Sequence, residues 1–286
     1  MPQPNSPNGV RTASLPSGTR VPVLGQGTWR MGEHRGRRSE ELTTLRLGID
    51  LGLALIDTAE MYADGGAEEL VGEAIAGRRS EVFLVSKVLP EHARRREAVA
   101  ACERSLARMR TDHLDLYLLH WRENVPLDET LDAFDALVGS GKILEWGVSN
   151  FDVGDMRELA ELRPSSSIAS DQVLYNLGRR GIEWELMPWC VDHRIPIMAY
   201  SPIEQGKLLD DPTLDRVARE RGVSAACIAL AWVLRREGVI AIPKSGTVAH
   251  MRENHAALDV RLTMEEMTAL DRAFPAPAGP VALETL

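Results

Sequence analysis

Four side chains in the first half of the sequence are of the types needed to protonate a carbonyl oxygen: Asp57, Tyr62, Lys87 and His120. Asp57 ends an apolar run in "LIDTAEMY", Tyr62 follows five residues later, Lys87 closes "VFLVSK" and His120 closes "LDLYLLH". A phenol, with a reference pKa of about 10, is a poor proton donor at neutral pH. An ammonium beside it favours the phenolate and is expected to lower that value by ~2, while a buried lysine needs a carboxylate to stay charged. Asp57 can therefore pair with Lys87, Lys87 can tune Tyr62, and His120 can hydrogen-bond a carbonyl oxygen and orient it beside the phenol. The chemistry that suits this set is carbonyl reduction, which also needs a hydride. Each residue alone has a plainer role: an aspartate that forms a turn, a lysine that snorkels to water, a histidine satisfied in the interior. A fold that gathers all four is what would give them a joint one.

The rest of the sequence points to such a fold. Short apolar runs ("ALID", "VFLVSK", "LDLYLLH", "ILEWGVS", "IASDQV", "IPIMAY", "GVIAIPK") alternate with longer stretches of helical period, and "VLGQGTW" supplies one more strand. The runs lack polar alternation, as expected of parallel strands covered on both sides. Eight strand–helix units favour a closed (β/α)8 barrel, an α/β TIM-barrel fold, over an open sheet. Strand ends are expected at Thr28, Asp57, Lys87, His120, Ser149, Gln172, Tyr200 and about Pro243, all converging on one face. "RTAS" and "RVPVL" around "LPSGT" predict an N-terminal hairpin capping the barrel bottom. Ser39, Asp128 and Thr263 are expected to start helices, and the long gap after strand seven has room for an additional one. Residues 1–286 read as a single domain, with 1–10 a disordered lead-in.

No Gly-x-Gly-x-x-Gly follows a strand, so a nicotinamide cofactor needs another cradle. Tyr200 offers a flat face for a nicotinamide ring, and the loop from Ser201 to Gly206 offers backbone donors. Lys244, Ser245 and Thr247 open a helix and make an anion site. Ser149, Asn150 and Gln172 suit a carboxamide. Trp29, Met31, Tyr62, His120 and Trp121 are the expected pocket walls, suiting a hydrophobic or small aldehyde. The segment after strand four is short and so is the tail after Phe274, which predicts an open, permissive pocket.

Composition excludes other classes. A net charge of −9 argues against a nucleic-acid partner, and the basic run Arg94–Arg96 reads as a solvated helix face. Cys102, Cys190 and Cys227 are odd in number, with neither metal-ligand nor Cys-x-x-Cys spacing, so a reducing compartment and no metal are expected. Nowhere do about 18 apolar residues run together, and no apolar leader opens the chain. The expectation is a cytoplasmic enzyme, monomeric, with no membrane or nucleic-acid partner.

From "LGQGTW" to "ALDRAF" the sequence resembles the aldo-keto reductase family. The resemblance rests on seven ordered motifs: "LIDTAEMY", "VSKV", "DLYLLHW", "GVSN", "DQVLYN", "AYSP" and "IPKS…EN". Within the family it is similar to bacterial methylglyoxal-reductase-type members. The resemblance implies a (β/α)8 fold and NADPH-dependent reduction of aldehydes and some ketones, with Tyr62 as general acid, Lys87 and Asp57 as its tuning pair and His120 orienting the substrate. It also implies cofactor contacts from Thr28, Trp29, Asp57, Ser149, Asn150, Gln172, Tyr200, Ser201, Pro202, Ile203, Gly206, Lys244, Ser245, Gly246, Thr247, His250, Glu253 and Asn254. One position departs: many relatives carry an arginine for the adenosine 2′-phosphate where this chain has His250, which lacks arginine's permanent bidentate charge. NADPH is the expected cofactor, with NADH the alternative. Two rival readings stand beside it. One is an aldolase-like barrel forming a Schiff base on Lys87 or Lys244, and the other a non-catalytic, nicotinamide-binding redox sensor.

Overall fold

The structure, a computed structural model, describes residues 9–286. The expected lead-in thus lies mostly outside the described residues. Where the two overlap, Val10 is 2% exposed and packs into the core, so the lead-in ends before it.

A hairpin comes first, β1 (Thr12–Ser14) antiparallel to β2 (Arg20–Pro22). It buries Ala13, Leu15 and Val21. Eight strands then pair in parallel and in sequence order: β3 (Gln26–Gly27), β4 (Leu55–Asp57), β5 (Phe83–Val88), β6 (Leu114–Leu119), β7 (Ile143–Ser149), β8 (Ile168–Leu174), β9 (Ile197–Tyr200) and β10 (Val239–Ala241). The ring closes through parallel bridges Leu24–Ala241 and Gly27–Lys244, and Gly27 N–H donates to Pro243 O at 3.0 Å. A Cβ at Gly27 would stand 2.7 Å from Ile242 O, so this seam requires glycine. All seven residues of β8 are buried, because helices cover one face of the strand and interior side chains the other.

The outer layer is α1 (Arg38–Asp50), α2 (Gly66–Ala74), α3 (Arg95–Met109), α4 (Leu127–Gly139), α5 (Val153–Leu162), α6 (Leu186–Asp192), α7 (Pro212–Arg221), α8 (Ala225–Val233), α9 (Val248–Ala256) and α10 (Met264–Ala273). Both α7 and α8 fall between β9 and β10, filling the expected room for an extra helix. Arg11 of the hairpin donates to Leu234 O, at the end of α8 where the chain is about to enter β10. The hairpin therefore lies against the end of the barrel where the strands begin, leaving the opposite end free.

Helix starts follow their capping chemistry. Thr263 caps α10 with a reciprocal box, its hydroxyl accepting Glu266 N–H and Glu266 accepting Thr263 N–H. Ser39 and Asp128 are not caps, contrary to expectation. A 3-10 turn, Arg35–Arg37, runs straight into α1 and leaves Ser39 inside the helix. Pro126, with φ −56°, sets the entry to α4, and Asp128 sits within its first turn. Among the described residues no helix is long and apolar enough to cross a membrane.

Candidate active site

The ends of β4, β5 and β6 place Asp57, Lys87 and His120 side by side. Tyr62 reaches them by a tight return. After β4 the chain closes a turn, Tyr62 N–H to Ala59 O at 3.1 Å, then passes through left-handed Ala63, Asp64 and Gly65 into α2. The result is saturation of one ammonium. Lys87 Nζ, 0% exposed, donates to Asp57 Oδ2 at 2.8 Å, Thr58 O at 2.9 Å and Tyr62 Oη at 3.1 Å. An ammonium has three protons to give, and all are used; burial without them would be prohibitive. Asp57 Oδ1 accepts from Gln172 Nε2 at 2.7 Å, so the side chain expected to face a carboxamide also holds the carboxylate. Sequence spacing gave no sign of this bond, which joins strands on different sides of the barrel.

Electrostatics correct one expectation. Burial pulls Lys87 down, but Asp57 and Tyr62 outweigh it and raise its pKa above the usual lysine value. Burial pushes the Tyr62 phenol up; Lys87 pulls it down, and Asp57 adds to the rise. The net is above the ordinary tyrosine value rather than ~2 below it. Desolvation wins because the phenol is only 8% exposed and its cationic neighbour is itself paired with a carboxylate. Tyr62 is thus fully protonated at neutral pH, and Lys87 is placed to stabilise the anion left after a proton departs.

His120 is pushed down to about 2, by burial first and by Lys87 second. Its Nδ1 is buried with no hydrogen-bond partner among the described residues, so the ring meets the cavity as a neutral imidazole through its other edge. Between pH 6.5 and 2 the unfolded chain binds a proton here that the folded one does not, so stability rises with pH across that window. Denaturant titrations should show the wild type losing up to about 1.4 kcal/mol per pH unit more than His120→Asn between pH 6 and 4. Parallel stability curves would show that His120 charges freely.

Asp57, Tyr62, His120 and Gln172, with Lys87 behind them, floor a cavity of about 1190 Å³ lined also by Trp29, Trp121, Ser149, Asn150, Tyr200, Ser201, Pro202, Ile203, Gly206, Lys244 and His250. Asn150, at φ +59°, donates to His120 O and Ser149 Oγ and accepts from Tyr200 at 2.9 Å. Trp29 meets Tyr62 edge-on at 5.0 Å between ring centroids, and Trp121 lies 4.9 Å from His120.

Other expected positions fall elsewhere. Met31 is 0% exposed, in the core, and does not line the cavity. A turn closed by Met31 N–H to Thr28 O, with Arg30 at φ +62°, sends Trp29 and Arg30 to the cavity and Met31 inward. Thr28 is spent on Asp57 O at 3.0 Å. Ser245 and Asn254 bond each other at 2.6 Å and are buried, and Thr247 caps α9. With Gly246 and Glu253, they lie outside the cavity lining, next in sequence or along α9 to Lys244 and His250.

The tail also departs from expectation. Thr285 and Leu286 line the cavity, with the Leu286 backbone close enough to Tyr200 to pull its phenol pKa down against the rise that burial causes. The tail is held by Arg180 to Phe274 O, Trp184 to Pro277 O and Arg179 to Glu284. Arg179 also binds Glu204, in the loop after β9. The mouth is therefore walled by the tail rather than left open. Arg30 and Arg122, the latter paired with Asp155 and Glu158, are further lining residues that the sequence did not single out.

Such an arrangement, a protonated phenol backed by an ammonium and facing a neutral imidazole, can donate a proton to a carbonyl oxygen. The chain is similar in sequence and fold to known proteins. Residues 23–274 match the model of the aldo/keto reductase family. The chain is 51% identical over 269 residues to the methylglyoxal reductase YeaE of Escherichia coli K12, covering 92% of this chain and 95% of that one. It is 35% identical to a glyoxal reductase of Bacillus subtilis, covering 91% of each. A Klebsiella pneumoniae aldo/keto reductase crystallised with NADP and acetate superposes with a TM-score of 0.94 at 49% identity, covering 97% of this chain and 100% of that one. The chain belongs to the aldo/keto reductase family.

Proposed function

We propose that this protein is an NADPH-dependent reductase of aldehydes and ketones, acting on small dicarbonyl compounds of the methylglyoxal class. The observation that carries this reading is the convergence of three donor bonds from Lys87 Nζ on Asp57, Thr58 and Tyr62, at the floor of a large cavity beside neutral His120. The methylglyoxal reductase relative, at 51% identity, supports the substrate class.

The cleft suits a nicotinamide dinucleotide phosphate. It runs from Tyr62 and His120 to Lys244 and His250, and beside Lys244 lie cations without carboxylate partners. Tyr200, Asn150 and Gln172 would hold the nicotinamide end, the Ser201–Gly206 loop the diphosphate, and Lys244 with the start of α9 the 2′-phosphate. When bound, NADPH supplies the hydride for the carbonyl carbon. Tyr62 Oη gives its proton to the carbonyl oxygen, and Lys87, fixed by Asp57, stabilises the phenolate that remains. His120 donates a hydrogen bond that orients the oxygen. Trp29, Trp121 and the tail exclude water from the reacting centre. The site is complete within one chain, so we read the active unit as a single-domain monomer. Free, buried Cys102, Cys190 and Cys227 suit the reducing conditions of a cytoplasm.

NADPH oxidation measured over methylglyoxal, aromatic aldehydes and sugars tests the assignment. The mouth narrowed by Trp29, Trp121 and the tail predicts kcat/KM at least about tenfold higher for methylglyoxal than for the bulkier hexose. No oxidation with any carbonyl would sink the reductase reading, and covalent trapping on lysine by borohydride would favour a Schiff-base barrel instead.

A further inference from the structure

The residue that His250 replaces leaves a question: what supplies the second permanent charge for a 2′-phosphate? The seam between β3 and α1 answers it. A Cβ on Gly246 would stand 2.7 Å from Arg37 Nη2 and 2.9 Å from Lys244 Nζ, so these two nitrogens lie within roughly 6 Å of each other above the Gly246 backbone. Gly246 is the residue just before Thr247, which caps α9 by accepting His250 N–H and leaves the N–H groups before it in the first turn pointing out of the helix.

The carboxylates nearest this pair, Glu41 and Glu33, pull on Lys244 from a distance without closing an ion pair on it. Among the described residues Arg37 and Lys244 make no ion pair, although the next residue, Arg38, binds Glu73 at 2.8 Å. Glu41 is held by Gly32 N–H at 3.0 Å, which fixes its carboxylate short of direct contact with Lys244. Arg30 adds a further cation to the same field. In a chain of net charge −9, where most arginines find carboxylates, unpaired cations crowding a helix N-terminus mark a place built for an anion. Burial first and Arg37 second hold Lys244 below its ordinary pKa, against the weaker opposing pull of Glu41 and Glu33.

We propose that Arg37 is the second cation of the 2′-phosphate subsite and sets the preference for NADPH over NADH. This rests on the reading that the cleft takes a nicotinamide dinucleotide. A terminal phosphate dianion placed between Lys244 and Arg37 takes a point charge from one and a planar fork from the other, which a neutral His250 cannot give. The arginine that relatives carry on α9 is thus replaced from a different element, the approach to α1. Because Arg37 reaches only the adenosine end, it touches no reacting atom.

The test is equilibrium binding, by calorimetry and by quenching of tryptophan fluorescence, of NADPH, NADH, 2′-AMP and 5′-AMP to wild type, Arg37→Met and Arg37→Lys. Arg37→Met should raise Kd for NADPH and 2′-AMP by about tenfold or more and move NADH and 5′-AMP by less than about twofold. Arg37→Lys should recover part of the loss, and the dependence of NADPH binding on salt should be shallower in Arg37→Met than in wild type. If wild type prefers NADPH and Arg37→Met keeps that preference undiminished, the proposal is overturned while the cofactor reading stands. If wild type itself binds NADH as tightly as NADPH, and 2′-AMP no better than 5′-AMP, the cofactor reading fails and takes the proposal with it.

Discussion

Tyr62→Phe should lower kcat for carbonyl reduction by about a thousandfold, within the range that a positioned general acid contributes, and leave NADPH affinity within about twofold. The substitution deletes one heavy atom, the hydroxyl that sits between Lys87 and the cavity and carries a proton at neutral pH. Burial keeps the phenol protonated and His120 unprotonated, while Lys87 has every proton engaged. Packing should survive, since the ring keeps its edge contacts with Trp29 and His120. Lys87 loses one acceptor of three, which predicts a stability cost of about 1 kcal/mol. Single-turnover NADPH oxidation alongside fluorescence titration separates the two effects. Activity within tenfold of wild type would remove Tyr62 from the role of donor.

The catalytic end of this molecule was legible because its residues break a pattern. Asp57, Lys87 and His120 each close an apolar run, and in a barrel of parallel strands such endings converge whatever their separation in sequence. What could not be read depended on quantities the pattern does not carry. The bond from Gln172 to Asp57 follows from the barrel's closed geometry rather than from spacing. Whether Trp29 or Met31 faces the cavity is decided by a single left-handed residue, Arg30. The direction of the Tyr62 shift is a contest between a nearby cation and burial, and only the depth of the phenol settles it. The short tail after Phe274 predicts an open pocket, and the structure walls the mouth with it instead. Length was the wrong measure, because Arg179, Arg180 and Trp184 anchor it along its course and bring Leu286 to Tyr200. Nothing in the sequence around Arg37 marks it, because its nearness to Lys244 exists only across the barrel seam.

Lys87→Met should affect both activity and stability, and the two losses can be separated. Removing the ammonium leaves Asp57, 2% exposed, with Gln172 as its remaining side-chain donor, and breaking a buried pair from one side costs about 3–5 kcal/mol. It also removes the charge that would stabilise a Tyr62 phenolate, so kcat should fall by about a hundredfold or more. Adding Asp57→Asn removes the stranded carboxylate. The double variant should therefore regain much of the stability in urea titrations and none of the activity. A double variant that regained activity would show that the pair serves only to hold the fold. Lys87 offers a second check through its raised pKa. A cation stabilised by folding contributes fully below the unfolded lysine value of 10.5 and ceases to contribute as pH rises through the higher folded one. Wild type should accordingly lose stability in strong alkali along a limb that Lys87→Met lacks. Should both proteins lose stability alike there, Lys87 would not be the charged, paired group on which the proposed proton transfer depends.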